Sequence, residues 1–270
     1  MSGEDREADW RDPAAYAPLL AADRSLIAWE WLRRDPAYRV DAGQSLRTGV
    51  AGSPARWGLH AFVPPDLGVP AARPVWTAGA DPFVLAVEAG PPRGDDLFQL
   101  DRFEPMATLV GGDRSEHLLL CDGSRTIRVD VLAGSIAGGP AELRYRIAGL
   151  KSAERPVLAL RRLIALCRTG VLSRSLHPPE VRAARWVLEL RARDALAAGA
   201  GQREIAAVLL GGEASRPNWR VLSPSLRSRV QRLVRSARAM GGGGYRALLL
   251  GPHATPAAFP GGDADDGGRR

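Results

Sequence analysis

Lysine is almost missing from this 270-residue chain: Lys151 stands alone against 36 arginines. Basic charge is therefore carried by a planar donor fork that matches phosphate or a guanine edge, which an ammonium cannot imitate. Cysteine is nearly as scarce. Cys121 and Cys167 are far apart in sequence, which excludes a disulfide framework and a paired-cysteine zinc site, and both are expected as reduced core residues. The four histidines, His60, His117, His177 and His253, have no partner at metal or triad spacing. The glycines at 241–244 are followed by no Lys-Ser/Thr, so they read as a bend and not a phosphate loop. No enzyme, metal or cofactor is expected on these grounds. The nearest thing to a nucleophile is Tyr245 beside Arg246, the one candidate for a DNA-cleaving or recombining activity.

Long apolar runs are missing too. Runs such as 118–121 and 247–250 fall far short of the ~20 residues that span a bilayer. The first nine residues are acidic and polar, unlike a signal peptide, so a cytoplasmic protein with no membrane partner is expected.

What the chain has is charge of two signs in two places. The net charge is +7, but residues 1–150 sum to −5 and residues 151–250 to +13. A basic module beside an acidic one points to a polyanion partner. The bland alternative is a solvated arginine-rich surface, though the same arginine bias leaves the first half acidic.

The element pattern is α+β, in four stretches: a helical region over 1–60, a Pro/Gly-rich segment with an antiparallel β region over 61–150, a basic helical region over 151–255, and a disordered tail over 256–270. Two short helices are expected within 10–39. Asp12 caps the first with Pro13 in its first turn; Asp23 caps the second, which stops at Asp35-Pro36. Trp10, Tyr16, Trp29, Trp31 and Tyr38 read as one aromatic mini-core, and residues 41–82 as an extended segment anchored by Trp57 and Trp76. Strands are expected at 83–87, 106–110, 117–121 and 124–132, the last two joined by the Asp122-Gly123 turn into a hairpin of a small antiparallel sheet.

Beyond residue 150 helices dominate, at 156–168 with Gly170 as its C-cap, 180–198, 202–210 and 225–240. The run helix, tight Gly turn, short helix, loop, long basic helix is a helix-turn-helix arrangement with an unusually long loop. In 225–240, Leu226, Val230, Leu233, Val234, Ala237 and Met240 fall in one arc of the helix. Arg227, Arg229, Arg232, Arg235 and Arg238 cover the rest with Ser225, Ser228 and Gln231. This row is the candidate DNA-binding surface. Ser223 with Pro224 would cap the helix, and Arg216, Asn218 and Arg220 in the loop would touch the backbone as a wing, with Trp219 as its core anchor. A solvated helix, a helix on an anionic membrane and an RNA-binding helix share the pattern. Against the last two, no aromatics edge the apolar arc or interleave with the arginines.

Particular motifs extend this reading. Trp10-Arg-Asp-Pro with Tyr16, Asp23-Arg24, the run Ala28-Trp29-Glu30-Trp31-Leu32-Arg33-Arg34 and Tyr38-Arg39 resemble the N-terminal transcriptional-regulator-like domain of proteobacterial genomes and mobile elements. Arg185-Trp186, Asp194-Ala195-Leu196, Gly199, Gln202-Arg203-Glu204-Ile205-Ala206, Trp219, Leu226-Arg227-Ser228-Arg229-Val230 and Gly243-Gly244-Tyr245 resemble the DNA-binding domain of RovC-type regulators of type VI secretion. The two-domain layout is similar to FseA-type activators of excision in integrative conjugative elements. The resemblance implies an oligomeric transcription factor, an activator of secretion, conjugation or excision genes, that binds double-stranded promoter DNA, with RNA polymerase or another regulator as a further partner. It carries Gln202, Arg203, Arg227, Arg229, Arg232 and Arg235 over as DNA-binding residues. The competing class is a protein-interaction module, such as an antiactivator that occupies another regulator.

Overall fold

The computed structural model describes residues 9–49, 52–112, 114–211 and 224–251. Ser223, the wing residues Arg216, Asn218 and Arg220, Trp219, His253 and the tail expected at 256–270 lie outside the described residues.

The chain opens with a 3-10 helix, Pro13–Ala21, whose N-cap Asp12 accepts the Ala14 amide. Helix α1 (Arg24–Leu32) follows. Asp35-Pro36 then ends one helix and starts another: the Asp35 carboxylate accepts the amides of Ala37 and Tyr38 at 2.8 and 3.3 Å, and α2 runs Pro36–Thr48. Where an extended segment was expected from residue 41, the chain is still helical, because Asp-Pro is as good an N-terminal signal as a stop. Trp29, Tyr38 and Trp57 pack edge to face, each neighbouring pair 5.5 Å apart, and Trp57 and Trp76 are buried anchors. Trp10 is an exception to the aromatic mini-core. It packs among the C-terminal helices, against a cluster that includes Ala195, Ile205 and Val230.

The sheet has five strands, β1 (Val84–Gly90), β2 (Ala107–Gly111), β3 (Glu116–Cys121), β4 (Thr126–Ala133) and β5 (Glu142–Tyr145), in the order β2-β3-β4-β1-β5. The β3–β4 hairpin is antiparallel as its Asp-Gly turn dictates, with Asp122 Oδ1 accepting the amides of Ser124 and Arg125. The α+β class holds, but the sheet is mixed, because β1 lies parallel to β4. Val84-Leu-Ala-Val is the continuous apolar run of a central strand, and the long connection after it lets the chain cross before β2 begins. Tight β1–β4 approach shows at Gly134 (φ +76°), where an added Cβ would sit 1.9 Å from the Ala89 carbonyl oxygen, so no side chain fits.

Helix α3 (Glu154–Thr169) ends at Gly170, φ +73°, and covers one face of the sheet: Ala159, Leu163 and Leu166 pack with Leu85, Val87, Leu118, Ile127 and Val129. The other face, with Leu119 and Cys121, joins the N-terminal aromatic core. Cys121 is buried and Cys167 half-buried, both free thiols.

Candidate nucleic-acid interface

Three helices build the basic end of the molecule: α4 (Ala183–Ala197), α5 (Gln202–Leu210) and α6 (Pro224–Ala239). A turn through Gly199 and Gly201 separates α4 from α5, and α6 packs against both through Leu226, Val230, Leu233, Val234 and Ala237, all buried. The apolar stripe at helical spacing thus fixes which way α6 faces. A polar pin adds to it: buried Glu189 of α4 accepts a hydrogen bond from Ser236 Oγ at 2.7 Å and from Arg185 Nε at 2.9 Å. Ser236 could not be singled out from sequence, because its partner lies 47 residues away.

Arg227, Arg229, Arg232, Arg235 and Arg238 are all exposed, as are Ser225, Ser228 and Gln231. None of the five arginines forms an ion pair with a described residue. From Arg227 to Arg238 the row covers about 16 Å of axis at ~1.5 Å per residue. Gln202, half-buried at the start of α5, borders a shallow depression of about 340 Å³ with Gln231, Val234, Arg235 and Arg238. Arg203 is exposed on α5. The structure therefore brings Gln202 to the arginine row.

Other arginines of the basic half are committed elsewhere. Arg191 donates to the carbonyls of Trp10 and Arg11 at 2.9 and 3.0 Å, Arg193 to the Arg34 carbonyl, and Arg155 to the Leu250 carbonyl at 2.8 Å. The +13 of this half thus overstates the free positive surface, and α6 is where it is concentrated.

After α6 a wide turn, Met240–Gly244, leads to α7 (Arg246–Leu250). Tyr245 is buried, and burial raises its hydroxyl above the ordinary tyrosine range. A nucleophile needs the opposite shift.

A histidine cluster escaped the sequence reading because its members are distant in the chain. His60 and His117 stack at 3.4 Å, and their ring nitrogens and an Asp130 oxygen lie within 4.8 Å of one another. His117 Nδ1 bonds Asp130 at 2.9 Å and its Nε2 meets Ser115 Oγ at 3.1 Å, while Arg128 Nη2 donates to the same Asp130 oxygen at 2.7 Å. Burial, with His117 and Arg128 nearby, pushes His60 down to about 4, so its ring is neutral. The donor types suit a divalent metal, but the positive charge beside Asp130 is already supplied by buried Arg128, which a metal ion would have to face.

Comparison with known families fits this geometry. Residues 148–250 match the model of the T6SS transcription factor DNA-binding domain, and residues 9–60 match that of the proteobacterial transcriptional regulator-like domain. No curated protein and no solved structure gives a match. No helix among the described residues is long and apolar enough to cross a membrane.

Proposed function

From the premise of a transcriptional regulator with a DNA-binding domain, set by those two matches, we propose that α6 is the helix that enters the major groove of promoter DNA. The observation that carries this is the division of α6: every apolar residue from Leu226 to Ala237 is buried, and five arginines stand exposed opposite them. At ~100° per residue, the middle of the exposed face is Ser228, flanked by Arg232 and Arg235, with Arg227 and Arg229 at its two edges. The middle side chains meet base edges, and the edge arginines reach flanking phosphates. Gln202 and Arg203, opening α5 beside Arg235, hold the adjoining backbone through side chains and free amides. Arg216, Asn218 and Arg220 in this reading add further DNA contacts.

In this reading the protein works in the cytoplasm as a homo-oligomer and activates secretion, conjugation or excision genes through RNA polymerase or another regulator. The acidic N-terminal half makes those protein contacts. The test is fluorescence anisotropy of the full chain on a duplex from its own upstream region and on a random duplex, over a salt series. Engagement of six to eight phosphates gives a slope of log affinity on log salt of about −5 to −7. Absence of binding to either duplex overturns the proposal and leaves a protein-interaction module.

A further inference from the structure

A half-open cavity of about 210 Å³ lies where the three parts of the molecule meet, bordered by α1, the start of β1, α3 and α7. At roughly 30 Å³ per water it has the volume of about seven waters, which suits a metabolite of amino-acid size. Phe83, Leu158 and Leu248 give it an apolar wall.

Two charged groups on its lining make no contact ion pair, although opposite charge lies near each: Arg128 and Arg155 near Asp81, and Asp23, Asp81 and Glu180 near Arg162. Asp81 is 6% exposed, and its one hydrogen bond accepts the Phe83 amide at 3.0 Å. Arg162 donates through Nε to the Leu176 carbonyl at 2.9 Å. Neither forms an ion pair with any described residue, although opposite charge stands across the same cavity. The other charges there are satisfied: Arg24 is paired with Glu180, and Asp23 accepts both the amide and the hydroxyl of Thr126. Burial raises Asp81 and lowers Arg162, so the cavity disfavours the charge on each.

We propose that this cavity binds a small zwitterion of the α-amino-acid class, its ammonium on Asp81, its carboxylate on Arg162 and its side chain against Phe83 and Leu248. A single cation or anion would pair directly with only one of the two groups, whereas a zwitterion pairs with both. Because α1, the sheet, α3 and α7 all border the site, an occupant ties the N-terminal part to the C-terminal helices. The cavity is thus an effector site, independent of how α6 meets its target.

Thermal unfolding of the full chain without DNA tests this, using each of the twenty L-amino acids as probe, with isoamylamine and isocaproate as leucine analogues lacking one charge. At ~100-fold above its Kd, the right amino acid raises the melting temperature by roughly 5 °C or more. The two one-charge analogues give a smaller rise. The shift disappears in Asp81→Asn and in Arg162→Met. Where either variant gives no cooperative transition, Leu158→Trp, which fills the cavity from a half-buried position, takes its place. No rise with any of the twenty, or a rise that survives these substitutions, overturns the proposal. The readout contains no DNA, so its failure and failure of the DNA-binding reading are separate results.

Discussion

Arg34 Nε lies 2.9 and 3.0 Å from the two carboxylate oxygens of Asp194, joining the turn after α1 to the last turn of α4. Asp194 also accepts from Tyr16 Oη at 2.7 Å, and Arg34 reaches back to the carboxylate of Glu30. Both ends are mostly buried, at 10% and 15% side-chain exposure. The two regions matched to known domains are therefore tied by a buried ionic network.

Removing Asp194 takes one of two carboxylates from Arg34 and one acceptor from Tyr16. Asp194→Ala is expected to destabilise the full chain by about 3 kcal/mol, the range for breaking a buried pair from one side. Urea unfolding followed by tryptophan fluorescence measures it. A loss under ~1 kcal/mol would mean that water replaces the carboxylate at little cost.

Arg232→Ala tests the interface without touching the core. It is expected to leave the melting temperature unchanged, because Arg232 is exposed and opposite the buried stripe. If Arg232 meets a phosphate, the salt slope shrinks by about 0.9. If it reads a base, discrimination between specific and random duplex falls by about 1–3 kcal/mol with the slope kept. A variant matching wild type in both respects removes Arg232 from the interface.

Trp10 couples the N-terminus to the helices that would contact DNA. Trp10→Ala opens a cavity between α4, α5 and α6 and is expected to cost about 3–5 kcal/mol. It should also weaken DNA binding, although no candidate interface residue is changed. Calorimetry paired with anisotropy checks both; intact stability with lost binding would instead place Trp10 on DNA.

Glu30 sets an acid limit on stability. Burial alone would push its carboxyl up, but Arg34, Arg33 and the Val69 amide together hold it below the ordinary 4.5. A depressed carboxyl contributes stability that is complete above the unfolded-state value and is lost as pH falls below it. Stability attributable to Glu30 therefore disappears on acidification below about pH 4.5. Glu30→Gln should be less stable at neutral pH and show a shallower acid decline. Parallel pH profiles of the two proteins would refute the assignment.

Which parts of this could be read from the residues follows from how far each determinant reaches along the chain. The α6 faces depend on a 3.6-residue period within one helix, and the β3–β4 hairpin on a two-residue turn; both are local and both were legible. Asp35-Pro36 is local as well but ambiguous, ending α1 and starting α2 at once. The parallel β1–β4 pairing, the burial of Trp10 by α4 to α6 and the meeting of His60 with His117 are set by tertiary packing between distant segments, and no short window encodes them. The cavity at Asp81 is of the same kind, its lining gathered from six separate stretches. Charge counting located the basic half but could not separate Arg191 and Arg193, spent on holding the N-terminal region, from the free row on α6.

The place of Trp10 has a consequence for how the chain is made. Its carbonyl bonds Arg191, 181 residues downstream, and its ring is enclosed by helices later still. At a synthesis rate of ~5–20 residues per second, that interval is on the order of 10–35 s. Throughout it the Trp10 indole lacks the helices that enclose it in the folded chain. A chain cut short before residue 230 would leave Trp10, α4 and α5 without most of the apolar stripe of α6, an exposed surface for chaperones and proteases to recognise. Synthesis through α6 thus gates the folding of the basic helical region around Trp10.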